Sequence, residues 1–147
     1  MKVRTILLGI EGHQDDEKAV AVLCETMDLR SATLRIVNVL TVPMTAPLDV
    51  SMPEVESRAL GMLESAGKVA LQLGAPRIET AVLRGRKVSE ALLEEAQRID
   101  PVAIVVRLRS QDAPLEHRVI SSTVSAVLAG ADCPVVTVHL PHRRMRA

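Results

Sequence analysis

A chain of 147 residues is the size of one domain, long enough to bury most of the apolar surface that its unfolded form exposes. Its residues are 48% hydrophobic and 24% charged, a globular composition, and no apolar run approaches the roughly 18 residues that a membrane span needs. Eighteen basic residues balance eighteen acidic ones and Phe, Tyr and Trp are all absent, so neither a basic field nor an aromatic platform invites nucleic acid.

The opening "MKVRTILLGIEG" turns polar after a few apolar residues instead of forming a secretory signal, which makes the cytoplasm the expected compartment. Its apolar run, Arg4 to Ile10, predicts a first strand. The turn "EGHQDDE" follows, with Asp15, Asp16 and Glu17 suited to the positive end of a helix that runs to about Leu29. "TLRIVNVL", Thr33 to Leu40, is the second strand. The three prolines of "TVPMTAPLDVSMP" mark a long loop from Thr41 to Pro53, either a lid or slack. Ser51 and Glu54 have capping-box spacing, and Val55, Ala59, Met62, Ala66, Val69 and Leu73 mark one face of a helix that Gly74 closes.

"RIETAVLRG", Arg77 to Gly85, alternates as a half-exposed third strand, and "KVSEALLEEAQRI" is a helix burying Val88, Leu92, Ala96 and Ile99 before Pro101 interrupts. "VAIVVR" is apolar enough for a strand covered on both faces. A helix over about Ser121 to Ala129 and a fifth strand, "CPVVTVH" from Cys133 to His139, complete the pattern. The order βαβαβαβαβ predicts an α/β fold: an open, doubly wound, five-stranded parallel sheet of strand order 3-2-1-4-5, a Rossmann-like sandwich. Residues 1–140 form the expected domain, and residues 141–147 a basic tail to which no function is assigned.

Such sheets bind ligands where the strand order reverses, here past the ends of strands one and four. Glu11, Gly12 and His13 stand on one side and Arg107 to Gln111 on the other. Ser121, Ser122 and Thr123 begin the last helix. They suit either an anion site supported by Arg107, Arg109 and Arg118 or an ordinary helix cap, and the lack of glycine in the preceding loop favours the cap. The arginines have a plain role as loop charges paired with Asp112 and Glu116.

No catalytic residue is assigned. Read as an acid-base pair, Glu11 and His13 have no nucleophile that the sequence places beside them, and a polar turn after strand one is what the fold requires anyway. Ser121 or Ser122 with His117 and Asp112 lacks a nucleophile elbow. The acidic start of the first helix opposes a dinucleotide pyrophosphate. No metal is expected either: Cys133 and His139 lie about 20 Å apart on an extended strand, too far to share an ion even with His142 nearby. Cys24 and Cys133 read as small buried hydrophobes.

Three stretches, "ILLGIEGHQDDEKAV", "VLRGRKVSEALLEEAQ" and "DPVAIVVR" followed by "ISSTVSAVLAGADCPVVTVH", resemble the universal stress protein family over the whole chain. Members of that family that bind ATP carry Gly, two residues, Gly, nine residues, then Gly and Ser or Thr. Laid on this sequence without a gap, the glycines become Leu108, Gln111 and Ser121, and only the hydroxyl of Ser122 is kept. The strand-one aspartate becomes Glu11, His13 stands where serine is common, and Arg107 holds a usually apolar position. The resemblance therefore implies a nucleotide site in degenerate form, made of Glu11, Gly12, His13, Leu108, Gln111, Ser121 and Ser122, with ATP binding lost or weakened and no cofactor required. It implies a stress-response or regulatory protein acting through protein contacts. A homodimer would form through the last strand, Pro134, Val135, Val136, Thr137, Val138 and His139, beside a further regulatory protein partner. The alternative is a small-ligand module that still takes a nucleotide or another anion.

Overall fold

The computed structural model describes residues 4–12, 14–108 and 121–140. Five strands and four helices alternate: β1 (Arg4–Ile10), α1 (Asp16–Thr26), β2 (Ala32–Thr41), α2 (Pro53–Gln72), β3 (Arg77–Gly85), α3 (Val88–Ile99), β4 (Ala103–Leu108), α4 (Ser122–Gly130) and β5 (Val135–His139). All pairings are parallel, and the sheet order is β3-β2-β1-β4-β5. The expected α/β architecture and strand order are both present.

Alternation along the central strands separates two cores. Ile6 and Leu8 of β1 and Leu34 and Ile36 of β2 pack with Ala19, Val20 and Leu23 of α1 and Leu63, Ala66 and Ala70 of α2. Leu7, Val37, Ile104 and Val106 face the other way, onto Leu92 and Ala96 of α3 and Val124 and Val127 of α4. Each fully buried Leu or Ile contributes about 1.5–3 kcal/mol, so two apolar faces hold the central strands without any aromatic residue. β3, at the edge, is only partly covered, as its alternation predicts.

Two helix boundaries differ from expectation. α1 stops at Thr26 rather than near Leu29, because Met27 is already extended and the Asp28 carboxylate accepts the Arg30 N–H at 3.1 Å, a local turn that competes with the helix. α2 starts on Pro53 with Met52 as its N-cap, so Ser51 forms no capping box; proline fits the first helical position, where its missing N–H is not needed. Its buried face is Ala59, Leu63, Ala66 and Ala70, while Val55 and Leu73 are exposed and Met62 and Val69 half-buried. Small alanines admit the helix close to the sheet, which turns the face by about one residue. The other end is as expected. Gly74, at φ +92°, donates its N–H to Leu71 O at 3.1 Å, and Ala75 donates to Ala70 O at 3.0 Å, the paired bonds of a glycine-terminated helix. β5 starts at Val135, two residues later than expected. Cys24 and Cys133 are half-buried rather than buried; desolvation raises both thiol pKa values, so both resist ionisation.

The proline-rich loop is fastened. Arg84 Nη1 donates to the carbonyls of Leu48 at 2.9 Å and Val50 at 2.6 Å, and Nη2 pairs with Glu56. Arg86 Nη1 donates to Ala46 O at 2.7 Å and to Pro43 O. Two arginines past mid-chain thus satisfy carbonyls of a segment with few backbone bonds of its own. An Arg86→Ala variant is expected to be cut by thermolysin near Met44, which is 81% exposed, roughly tenfold faster than the parent chain, since one or two charged hydrogen bonds hold that much opening free energy. Equal cleavage rates would show that the arginine does not restrain the loop.

Candidate functional site

Between the carboxyl ends of β1 and β2 and the starts of α3 and α4 lies a cleft of about 370 Å3 lined by Ile10, Glu11, Asn38, Val39, Val88, Ser121, Ser122 and Thr123. The volume falls within the range of small-molecule sites, about 300–1,000 Å3. A smaller recess of about 20 Å3 shares Ile10, Glu11, Val39, Val88 and Thr123 with it and adds Arg107 to the lining.

Each wall has a local cause. β1 ends on the turn Glu11–Gly12, whose backbone N–H groups donate to the Asp16 carboxylate at 3.3 and 2.7 Å. Asp16 is buried in the first turn of α1, so the acidic start of that helix folds back onto the turn. Gly12 has φ +85°, which favours glycine, and a β-carbon there would stand 2.4 Å from Met62 Sδ, so Met62 of α2 would have to move aside. Asn38, buried in β2, donates from Nδ2 to Ile10 O at 2.8 Å and fixes the end of β1 from the neighbouring strand.

On the opposite wall, Ser121 is the N-cap of α4, and its hydroxyl accepts the Val124 N–H at 3.2 Å. Ser122 and Thr123 follow in the first turn, exposed and half-buried, and both line the cleft. Leu108, the last residue of β4, packs against the α3–α4 core and is not among the described residues lining the cleft. Arg107 does approach it: its side chain is 6% exposed and Nη2 lies 3.4 Å from Glu11 Oε2, spanning the ends of β4 and β1. The structure therefore brings Glu11, Ser121, Ser122 and Thr123 to one cleft, with Arg107 against Glu11 and Gly12 in the adjoining turn. His13, Arg109, Gln111, Asp112, Glu116, His117, Arg118 and His142 lie outside the described residues. Asn38 and Val39 were not read as site residues from sequence, and Asp16 and Val88 were read only as helix positions. A lone Asn inside the apolar strand "RIVNVL" was a signal for Asn38.

No group of three or more metal-ligating side chains occurs among the described residues, and no described helix is long and apolar enough to cross a membrane. With this geometry in view, residues 2–139 match the model of the universal stress protein family. The chain belongs to the universal stress protein family. No match was found among curated proteins. Among solved structures, a universal stress protein from Archaeoglobus fulgidus superposes with a TM-score of 0.73 at 20% identity, covering 91% of this chain and 92% of its own. A universal stress protein in complex with cAMP gives 0.68 at 22% identity, covering 95% and 98%. A family member from Arabidopsis thaliana with AMP bound gives 0.67 at 15% identity, covering 92% and 91%. At these identities the likeness establishes the shared fold.

Proposed function

We propose that this universal stress protein is a regulatory member that has given up the family's grip on a triphosphate and works in the cytoplasm through contacts with other protein chains. The observation that carries this reading is the Glu11–Arg107 pair across the strand ends. Glu11 is one methylene longer than the aspartate of ATP-binding members and reaches Arg107, and the glycines that let phosphate reach the backbone are replaced at 108, 111 and 121. The Ser121 hydroxyl serves as a helix cap rather than as an activated nucleophile, and no catalytic step is assigned. β5 offers the contact surface. It ends the sheet, so its outer backbone is available for a twofold mate, with Thr137 and His139 exposed along it.

Two measurements test this. Light scattering at micromolar concentration is expected to give a dimer, and a monomer would remove the contact surface from the argument. Millimolar ATP with magnesium is expected to leave the melting temperature unchanged, whereas a retained site would stabilise the fold by RT ln(1 + [L]/Kd). A second reading, a module for a small nucleotide or another anion, is favoured by the cleft, which keeps about 370 Å3 and an apolar wall of Ile10, Val39 and Val88 suited to a base. The related structures holding AMP and cAMP each carry a ligand with one phosphate.

A further inference from the structure

We infer that the outer flank of α2 is a contact surface for a second copy of this chain, met antiparallel about a twofold axis, at the sheet edge opposite β5. The inference goes beyond the β5 contact and does not depend on it. Leu60, Glu64, Gly67 and Leu71 follow one another at four, three and four residues, which sets them on one straight seam of a helix with 3.6 residues per turn. The seam stands a little more than a quarter turn from the buried face of Ala59, Leu63, Ala66 and Ala70. At its middle, a β-carbon on Gly67 would meet Thr80 Cγ2 at 3.8 Å and Ile78 Cγ2 at 3.9 Å, so the seam runs beside β3, the outermost strand on that side. Leu60 is 59% exposed and Leu71 is 65% exposed, more than any other leucine among the described residues. Single exposed leucines are ordinary. Two of them at the ends of one seam about 16 Å long, with a glycine between, form a surface that a second helix of the same spacing fits.

The seam is complementary to itself. In an antiparallel pair centred between Ser65 and Ala66, Leu60 meets the partner's Leu71 at both ends, and Glu64 lies over the partner's Gly67, where no side chain stands in its way. Charge decides the orientation. Glu64 pairs with Lys68 one turn on at 3.4 Å, and both side chains are exposed. Antiparallel copies set two such pairs side by side with alternating sign, whereas a parallel pair would put Glu64 against the partner's Glu64 and Lys68 against the partner's Lys68. Addition of a strand to β3 suits this edge less, because the exposed charges of Arg77 and Glu79 flank it. A helix contact of this length buries well under the roughly 1,200 Å2 of a stable interface, so it joins copies only at concentrations on the order of a hundred micromolar.

Sedimentation velocity of the full chain from about 5 to about 500 μM tests the inference, with circular dichroism confirming the fold of each variant. The mass of the parent is expected to at least double across the series. Leu60→Glu and Leu71→Lys are each expected to weaken that step by roughly tenfold or more, since each sets a charge against a leucine. An equimolar mixture of the two variants is expected to recover it, because the new glutamate then meets the new lysine while the remaining leucines meet each other. β5 is unchanged in every arm, so the mass that the variants keep reports the β5 contact and the step that they lose reports α2. A parent whose mass does not rise overturns the inference and leaves the seam to a different chain or to water. A step that both variants keep overturns it too, since the copies then associate through another surface. A step lost in both variants and not recovered in the mixture overturns the antiparallel pairing. Should either variant fail to fold, Glu64→Lys and Lys68→Glu decide: each alone is expected to weaken the step and the two in one chain to restore it, and a double variant that stays dissociated overturns the charge argument and the pairing with it.

Discussion

A Gly12→Ala variant is expected to unfold about 2 kcal/mol more easily than the parent chain, lowering the melting temperature by roughly 4–8 °C for a domain of this size. Two separable causes act at one residue. The backbone sits at φ +85°, where a β-carbon costs on the order of 1–2 kcal/mol, and that β-carbon would stand 2.4 Å from Met62 Sδ. The sulfur belongs to a flexible side chain, so the steric share is relieved by movement of Met62 while the backbone share is not. A double-mutant cycle with Met62→Ala separates them: the coupling measures the clash, and the residue left over measures the strain. A Gly12→Ala chain that melts with the parent would mean that the turn relaxes to negative φ and that the two Asp16 bonds do not hold it. Because Glu11 is the preceding residue, the same relaxation would also move the carboxylate that meets Arg107.

The fold was readable in the sequence because its signals are local or periodic. β4 shows it in an unbroken apolar run that only a strand covered on both faces tolerates, and Gly74 in a single residue placed one step past a periodic helix. The face of α2 was harder. Leucines and valines occur around most of the helix, and which stripe is buried depends on how closely Ala59, Ala66 and Ala70 let it approach, a tertiary fact. The candidate site was legible to the extent that topology fixes it, since the switch point and the start of α4 follow from strand order. Its detail was not, because the deciding contacts join distant residues or end on backbone: Asn38 on Ile10 O, Asp16 on the turn amides, Arg107 on Glu11. The proline loop illustrates the same limit. Its restraint comes from Arg84 and Arg86, some 34 to 44 residues further along, and no pattern inside the loop announces them.

Restoring glycine at the three loop positions, Leu108→Gly, Gln111→Gly and Ser121→Gly, is expected to leave the chain without ATP stabilisation unless Glu11→Asp is added. Leu108 already packs into the α3–α4 core, so removing it opens the backbone but clears no side chain from the cleft. Glycine at the cap of α4 costs only a few tenths of a kcal/mol relative to serine, so that substitution should be tolerated. What then remains is the Glu11 carboxylate, which reaches Arg107 across the strand ends. Shortening it by one methylene draws the carboxylate back from Arg107 to the reach of the family's strand-one aspartate, while the new glycines let phosphates approach the loop amides. The combined variant should show a stabilisation of about 2.7 kcal/mol when ATP is supplied at a hundred times its dissociation constant, read as a rise in melting temperature against a no-nucleotide control. If the three glycines suffice by themselves, the loop side chains are the barrier and Glu11 is a bystander. If the fourth substitution is needed, the loss of the triphosphate grip lies in how far the strand-one carboxylate reaches across to strand four.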